Sequence, residues 1–134
     1  MSGKSDSARR LSVSISLHEG FLVVRAGGDL DYQWADLLHR EVHEARETAT
    51  SAGLILDLGG LTFCDSMGVG VLVLLLNESR EQGFSLVLSD VPDRVAQILS
   101  ISGLLDFFLI EPSVEAAIRA ADPLPGAESG SDSL

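Results

Sequence analysis

Leu54–Leu76, LILDLGGLTFCDSMGVGVLVLLL, is the stretch on which the fold turns. It opens with an apolar run (Leu54, Ile55, Leu56, Leu58) interrupted by Asp57 and followed by Gly59-Gly60. That pattern predicts a buried strand ending at a turn. Val69–Leu76 is apolar on every face except for Gly70, and its periodicity alone fits either strand or helix. The polar helix formers Asn77–Gln82 that follow, with Gly83 suited to a left-handed residue after a helix end, select the helix. A strand, a turn and a helix of roughly seventeen residues then lead to a further strand, Phe84–Ser89. This is a crossover between parallel strands, which needs a connection of about a dozen residues or more.

Between strand and helix lies Asp65-Ser66-Met67-Gly68. A serine just before a helix is a favoured N-cap, so Ser66 is expected to cap, with its hydroxyl at the positive end of the helix dipole. It has two readings: a cap and nothing more, or a site where an anion such as a phosphate is stabilised. Gly68 and Gly70 leave the first turn without side-chain cover, the helix is apolar all round, and Asp65 places a charge beside the hydroxyl.

Outward from this unit, Leu11–Leu17 alternates apolar and polar residues, as a half-exposed edge strand does. His18-Glu19-Gly20 turns the chain into a second strand, Phe21–Ala26, which Gly27-Gly28-Asp29 is expected to end. Asp31 or Asp29 caps a helix from Tyr32 to about Thr48, with Trp34, Leu37, Leu38, Val42, Ala45 and Ala49 as its inward stripe. Asp90, Pro92 and Asp93 start another helix, with Val95, Ile98 and Leu99 inward and Gly103 at its end. Phe107–Ile110 reads as a short strand, and Pro112-Ser113 opens a last helix through Val114, Ala117, Ile118 and Ala121. The fold class is therefore α/β, in the order ββαβαβαβα, with a mixed sheet of about five strands. Residues 1–10 and 122–134 lack periodicity and are expected to be disordered tails around one domain, 11–121. The unpaired first strand leaves homodimerisation open.

With 134 residues the chain supports one domain. A net charge of −11 argues against nucleic acid or an anionic membrane as partner, since both call for a basic patch. No apolar run reaches the roughly 18 residues of a membrane span, and no secretory h-region is read at the start. The single cysteine, Cys64, excludes an intrachain disulfide and fits a reducing cytoplasm, the expected location.

Catalysis finds no support, and no catalytic residue, cofactor or metal is expected. A hydrolase elbow, Gly-x-Ser-x-Gly, would need glycine where Cys64 stands, with a histidine after the serine; His18, His39 and His43 all precede Ser66. The only lysine, Lys4, lies in the N-terminal tail, outside any phosphate loop. His39 and His43 are four apart, but among Glu41, Glu44 and Glu47 they read as a solvated face. A binding module needs less: an exposed first turn and a way to switch it. Phosphorylation of Ser66 would add about −1.5 to −2 charges without requiring a change of fold.

Thr62-Phe63-Cys64-Asp65-Ser66-Met67-Gly68-Val69-Gly70-Val71-Leu72 resembles the signature of the STAS domain, the anti-sigma factor antagonist family, and Gly28-Asp29-Leu30-Asp31 resembles its second signature. The likeness runs from about Leu11 to Ala121 and implies a STAS-like single domain, its mixed sheet of about five strands carrying the helices largely on one face. It implies a protein that, unphosphorylated, binds an anti-sigma factor acting also as a serine kinase, and so releases the sigma factor. The kinase would inactivate it at Ser66, and a serine phosphatase acting on phospho-Ser66 would restore it. By position, Asp65 would orient the site, Asp31 would lie beside it, and Met67, Gly68 and Val69 would form the docking turn. Met67 departs from the family's usual small residue, which leaves a single phosphoacceptor. The alternative within the family is a non-phosphorylated STAS interaction subunit of a signalling or transport-associated complex.

Overall fold

The computed structural model describes residues 10–121, so the expected tails, apart from Arg10, lie outside the described residues. Strand β1 (Ser12–His18) and strand β2 (Phe21–Leu30) form a hairpin. Its turn residues Glu19 and Gly20 both have positive φ, 53° and 86°. Turns of this handedness match the right-handed twist of the strands they join. Helix α1 (Ala35–Thr48) then crosses to β3 (Gly53–Cys64), α2 (Ser66–Gln82) to β4 (Ser85–Ser89), and α3 (Asp93–Ile101) with a 3-10 turn (Leu105–Phe107) to β5 (Leu109–Glu111). Helix α4 (Val114–Ala121) closes the described chain. The sheet order is β1-β2-β3-β4-β5, antiparallel in the first pair and parallel in the rest. The expected element order and mixed five-stranded sheet are those of the structure.

Both sheet faces are covered. Leu22, Val24, Leu54, Leu56, Leu58, Leu86 and Leu88 face α1, α2 and α3 through Leu38, Val42, Leu72, Leu75, Val95 and Leu99. On the reverse face, Phe21, Val23, Ile55 and Val87 meet Val114, Ala117 and Ile118 of α4. Three helices thus share one face and the shortest lies on the other.

Several boundaries differ from expectation. Strand β3 does not stop at Gly59-Gly60, and β2 does not end at Ala26; both run on to Cys64 and Leu30. Gly27 pairs with Gly60, and a Cβ built on Gly60 would lie 3.1 Å from the Gly27 Cα. These glycines allow two backbones to approach closely within a ladder, where sequence reading takes them as punctuation. Bulges flank the pair, between Arg25 and Gly27 and between Gly28 and Asp29. Helix α1 starts at Ala35 rather than Tyr32, because residues 31–34 form a turn in which the Asp31 carbonyl accepts from the amides of Trp34 and Ala35. Phe107 belongs to the 3-10 turn, which moves β5 on to Leu109.

Helix α2 packs against α1 as well as the sheet. His39 Nε2 lies 2.8 Å from Glu78 Oε2, Arg46 donates to Gln82 Oε1 at 2.9 Å, and the Arg46 guanidinium stacks over Phe84 at 3.5 Å. His39 and His43 stack with centroids 6.4 Å apart, but His43 turns to Glu47.

Replacing Gly60 by Val is expected to lower stability by about 1–3 kcal/mol, the usual cost of overpacking. Gly70→Ala, where a Cβ meets nothing within 4 Å, should add up to about 1 kcal/mol from helix propensity. Urea melts of the two variants check the contrast; equal effects would mean that the Gly27–Gly60 contact is not tight.

Candidate functional site

The site forms where the ends of β2 and β3 release the chain into α1 and α2. Leu30 pairs with Cys64, so the two connections leave the sheet side by side. Asp65 joins them. Its Oδ1 accepts from the Gly68 amide at 2.9 Å, its Oδ2 from the Tyr32 amide at 3.1 Å, and its own amide donates to the Leu30 carbonyl at 3.2 Å. The N-cap of α2 is therefore Asp65, in extended conformation, and the expectation that Ser66 caps is corrected. Aspartate wins because its carboxylate carries a full charge toward the helix dipole and has two oxygens for two amides.

Ser66 becomes the first residue of α2 and is exposed. Its hydroxyl makes no hydrogen bond among the described residues. Met67 is 56% exposed, while Gly68 and Val69 turn inward. Gly68 is required: a Cβ there would collide with the Leu30 carbonyl oxygen and lie 2.9 Å from Cys64 Sγ. The predicted docking turn thus divides into an outward Met67 and two buried residues that seat it.

Asp31 is buried at 9% exposure and lies on the neighbouring connection. Its Oδ1 accepts from the Gln33 amide at 3.0 Å, so it closes the 31–34 turn and does not cap α1, whose N-cap position is Trp34 with no side-chain cap. Asp29, the other expected cap, accepts instead from Thr62 Oγ1 at 3.2 Å. Asp29, Asp31, Thr62 and Phe63 line a concavity of about 450 Å³. The Thr62 carbonyl accepts from Arg94 of α3 at 3.1 Å.

Sequence reading anticipates apolar surface at this site but not which residues supply it. Tyr32, Phe63 and Leu74 are 71%, 44% and 43% exposed. Met67, Gly70 and Leu74 fall at i, i+3 and i+7, one outer stripe of α2. In a helix apolar on all sides, no sequence signal separates that stripe from the inner one. Phe63 is turned out because the β2–β3 register skips Thr62, which breaks the alternation between Leu61 and Cys64.

Cys64 is buried, with its thiol pKa pushed up from 9.0 to about 11 by desolvation first and by the Asp65 charge second. It is a core residue held in its neutral form. Among the described residues no group of three histidine, cysteine or acidic side chains could hold a metal, and no helix is long and apolar enough to cross a membrane.

A family model described as STAS domain matches residues 12–117. An anti-sigma F factor antagonist of Paenibacillus polymyxa is 30% identical over 114 residues, which cover 85% of this chain and 95% of that protein. Among solved structures, an anti-sigma factor antagonist from Mycobacterium paratuberculosis has a TM-score of 0.71 at 22% identity, over 84% of this chain and 95% of that one. The Bacillus cell fate determinant SpoIIAA in its phosphorylated form has a TM-score of 0.63 at 20% identity, over 81% and 99%. At such identities the structural likenesses speak for the fold alone.

Asp65→Ala removes the acceptor of two amides and should cost about 1–3 kcal/mol. Ser66→Ala should change stability by less than about 0.5 kcal/mol, since no described residue hydrogen-bonds that hydroxyl. Thermal melts of both variants decide which residue is the cap.

The thiol also sets a pH dependence. Between pH 9.0 and about 11 the unfolded chain loses the Cys64 proton while the folded chain keeps it. The folded state then binds more protons, so stability falls as pH rises, by at most about 1.4 kcal/mol per unit. Denaturant titrations at pH 8 and 10 should show a larger loss for the parent than for Cys64→Ala.

Proposed function

The chain belongs to the STAS domain family, and on that premise we propose that it is an anti-sigma factor antagonist switched at Ser66. In this reading the unphosphorylated protein docks an anti-sigma factor that is also a serine kinase, through the outer stripe of α2, and the sigma factor is released. The kinase ends the interaction by phosphorylating Ser66, and a serine phosphatase reverses it. The protein works by binding in the cytoplasm and turns over no substrate of its own.

The observation that carries this reading is that Ser66 lies at the first turn of α2, exposed, while Asp65 does the capping. A serine with no structural duty can be modified without loss of the fold. The phosphate would sit at the positive end of a seventeen-residue helix, which favours it. It would also place about −1.5 to −2 charges on a face where Met67, Gly70, Leu74 and Phe63 are exposed and the adjacent residue is the half-buried Asp65. A partner fitted to a neutral, partly apolar surface then meets a strongly anionic one, and the desolvation cost falls on the complex rather than on the free protein. Met67, Tyr32 and Phe63 are the contacts expected to touch the partner. Asp65 and Asp31 hold the two connections, and Gly68 and Val69 seat the turn.

Calorimetric titration of the anti-sigma partner with the parent, Ser66→Ala and Ser66→Asp tests the switch. Ser66→Ala should bind as the parent does and resist phosphorylation by intact mass. Ser66→Asp should fold normally and bind at least about tenfold more weakly, a difference of about 1.4 kcal/mol. Equal binding by Ser66→Asp and by stoichiometrically phosphorylated protein would leave a non-phosphorylated interaction subunit as the better reading.

A further inference from the structure

We propose that β1 is a self-pairing edge through which two copies of this chain associate, joining their sheets across a two-fold axis at Ile15. The first observation is an edge left open. Among the described residues β1 pairs with β2 on one side only, and six of its seven residues are exposed, with Ile15 and Leu17 at 38% and 55%. The opposite edge, β5, has three residues and ends in Glu111.

The second observation is composition. Exposed edges are ordinarily blunted by lysine, proline, inward charges or a bulge. In a chain of net charge −11, Ser12–His18 has no Asp, Glu, Lys, Arg or Pro, and its pairing with β2 runs without a register shift. Among the described residues the register shifts of the sheet lie in the β2–β3 pair.

The third observation selects the occupant. Antiparallel pairing of SVSISLH with itself, centred on Ile15, uses all seven residues. Ile15 then faces Ile15 of the second copy, Val13 faces Leu17, Ser14 faces Ser16, and Ser12 faces His18. Because the side-chain period is two, every apolar residue falls on one face and every serine on the other. The apolar face is the one that carries α1 and α2, since Val13, Ile15 and Leu17 lie opposite Ala26, Val24 and Leu22. No like charges oppose each other, and each apolar or hydroxyl pair contributes about 0.2–1 kcal/mol. An isologous seam of this kind closes on a dimer and does not propagate. Ser66 follows β3, two strands away from this edge, and stays outside the seam.

One strand pair is a small interface, at or below about 1,200 Å² in total, so the dimer is weak and concentration-dependent. Two chains of net charge −11 repel, and added salt screens that repulsion. Sedimentation equilibrium of the full chain should therefore show a monomer–dimer equilibrium that shifts toward dimer between low and high NaCl. Leu17→Lys, at an exposed position where folding is checked by thermal melt, should weaken it at least about tenfold. Ile15→Cys should form a disulfide-linked dimer under mild oxidation, because the two residues meet on the axis, and Ser12→Cys should not. A monomer at every concentration and salt, or a dimer that tolerates Leu17→Lys and leaves Ile15→Cys uncoupled, would overturn the proposal. The first result would leave the edge to residues 1–9 or to a different protein.

Discussion

The Asp65 carboxylate holds the functional end of this molecule together. With one oxygen on the Gly68 amide and the other on the Tyr32 amide, it ties connections 33 residues apart in the chain. A charged acceptor shared by two backbone donors is stronger than a neutral hydrogen bond, and here one donor belongs to a helix terminus. The bridge decides where α2 begins, and with it which way Ser66 faces. It also explains why Gly68 has no side chain. The first turn of α2 is drawn so close to the Leu30 carbonyl that a Cβ would not fit.

The same demand for close approach appears one step back in the sheet. Gly27 and Gly60 let β2 and β3 run on past the length that their apolar alternation supports. Their extension delivers Asp29, Asp31, Thr62 and Phe63 to one end of the molecule. Two bulges turn those residues as they arrive, so Phe63 faces solvent while Leu61 and Cys64 stay in the core. Glycine thus works here as a spacer between backbones, and the site lies on the additional strand length.

Helix α2 has more apolar surface than one sheet face can bury. Part of it packs on α1, whose His39 and Arg46 reach across to Glu78 and Gln82. The remainder, Met67, Gly70 and Leu74, stays outside next to the serine. On a strongly acidic protein this stripe is neutral, and a neutral surface is where an added phosphate changes the local field most. The proposed switch therefore needs no movement of the backbone, only a change in what the surface offers a partner.

Much was legible in the residues alone. The parallel crossover at Leu54–Leu76, the element order, the span of α2 with Gly83 in the left-handed region, and the resemblance carried by residues 62–72 all follow from local pattern. Such features depend on neighbours in the chain, which sequence displays directly. Tertiary structure decided the rest. Whether Asp65 or Ser66 caps α2 depends on an amide of Tyr32 that folding brings in from a distant loop. Whether Gly59-Gly60 ends a strand depends on what lies opposite, and Gly27 lies there. The outer stripe of α2 is set by where α1 and the sheet happen to cover it, because a helix apolar on every side has no moment to orient it. Chain-local chemistry determined the elements of this protein; contacts between residues far apart in sequence determined which of their faces remain open to solvent.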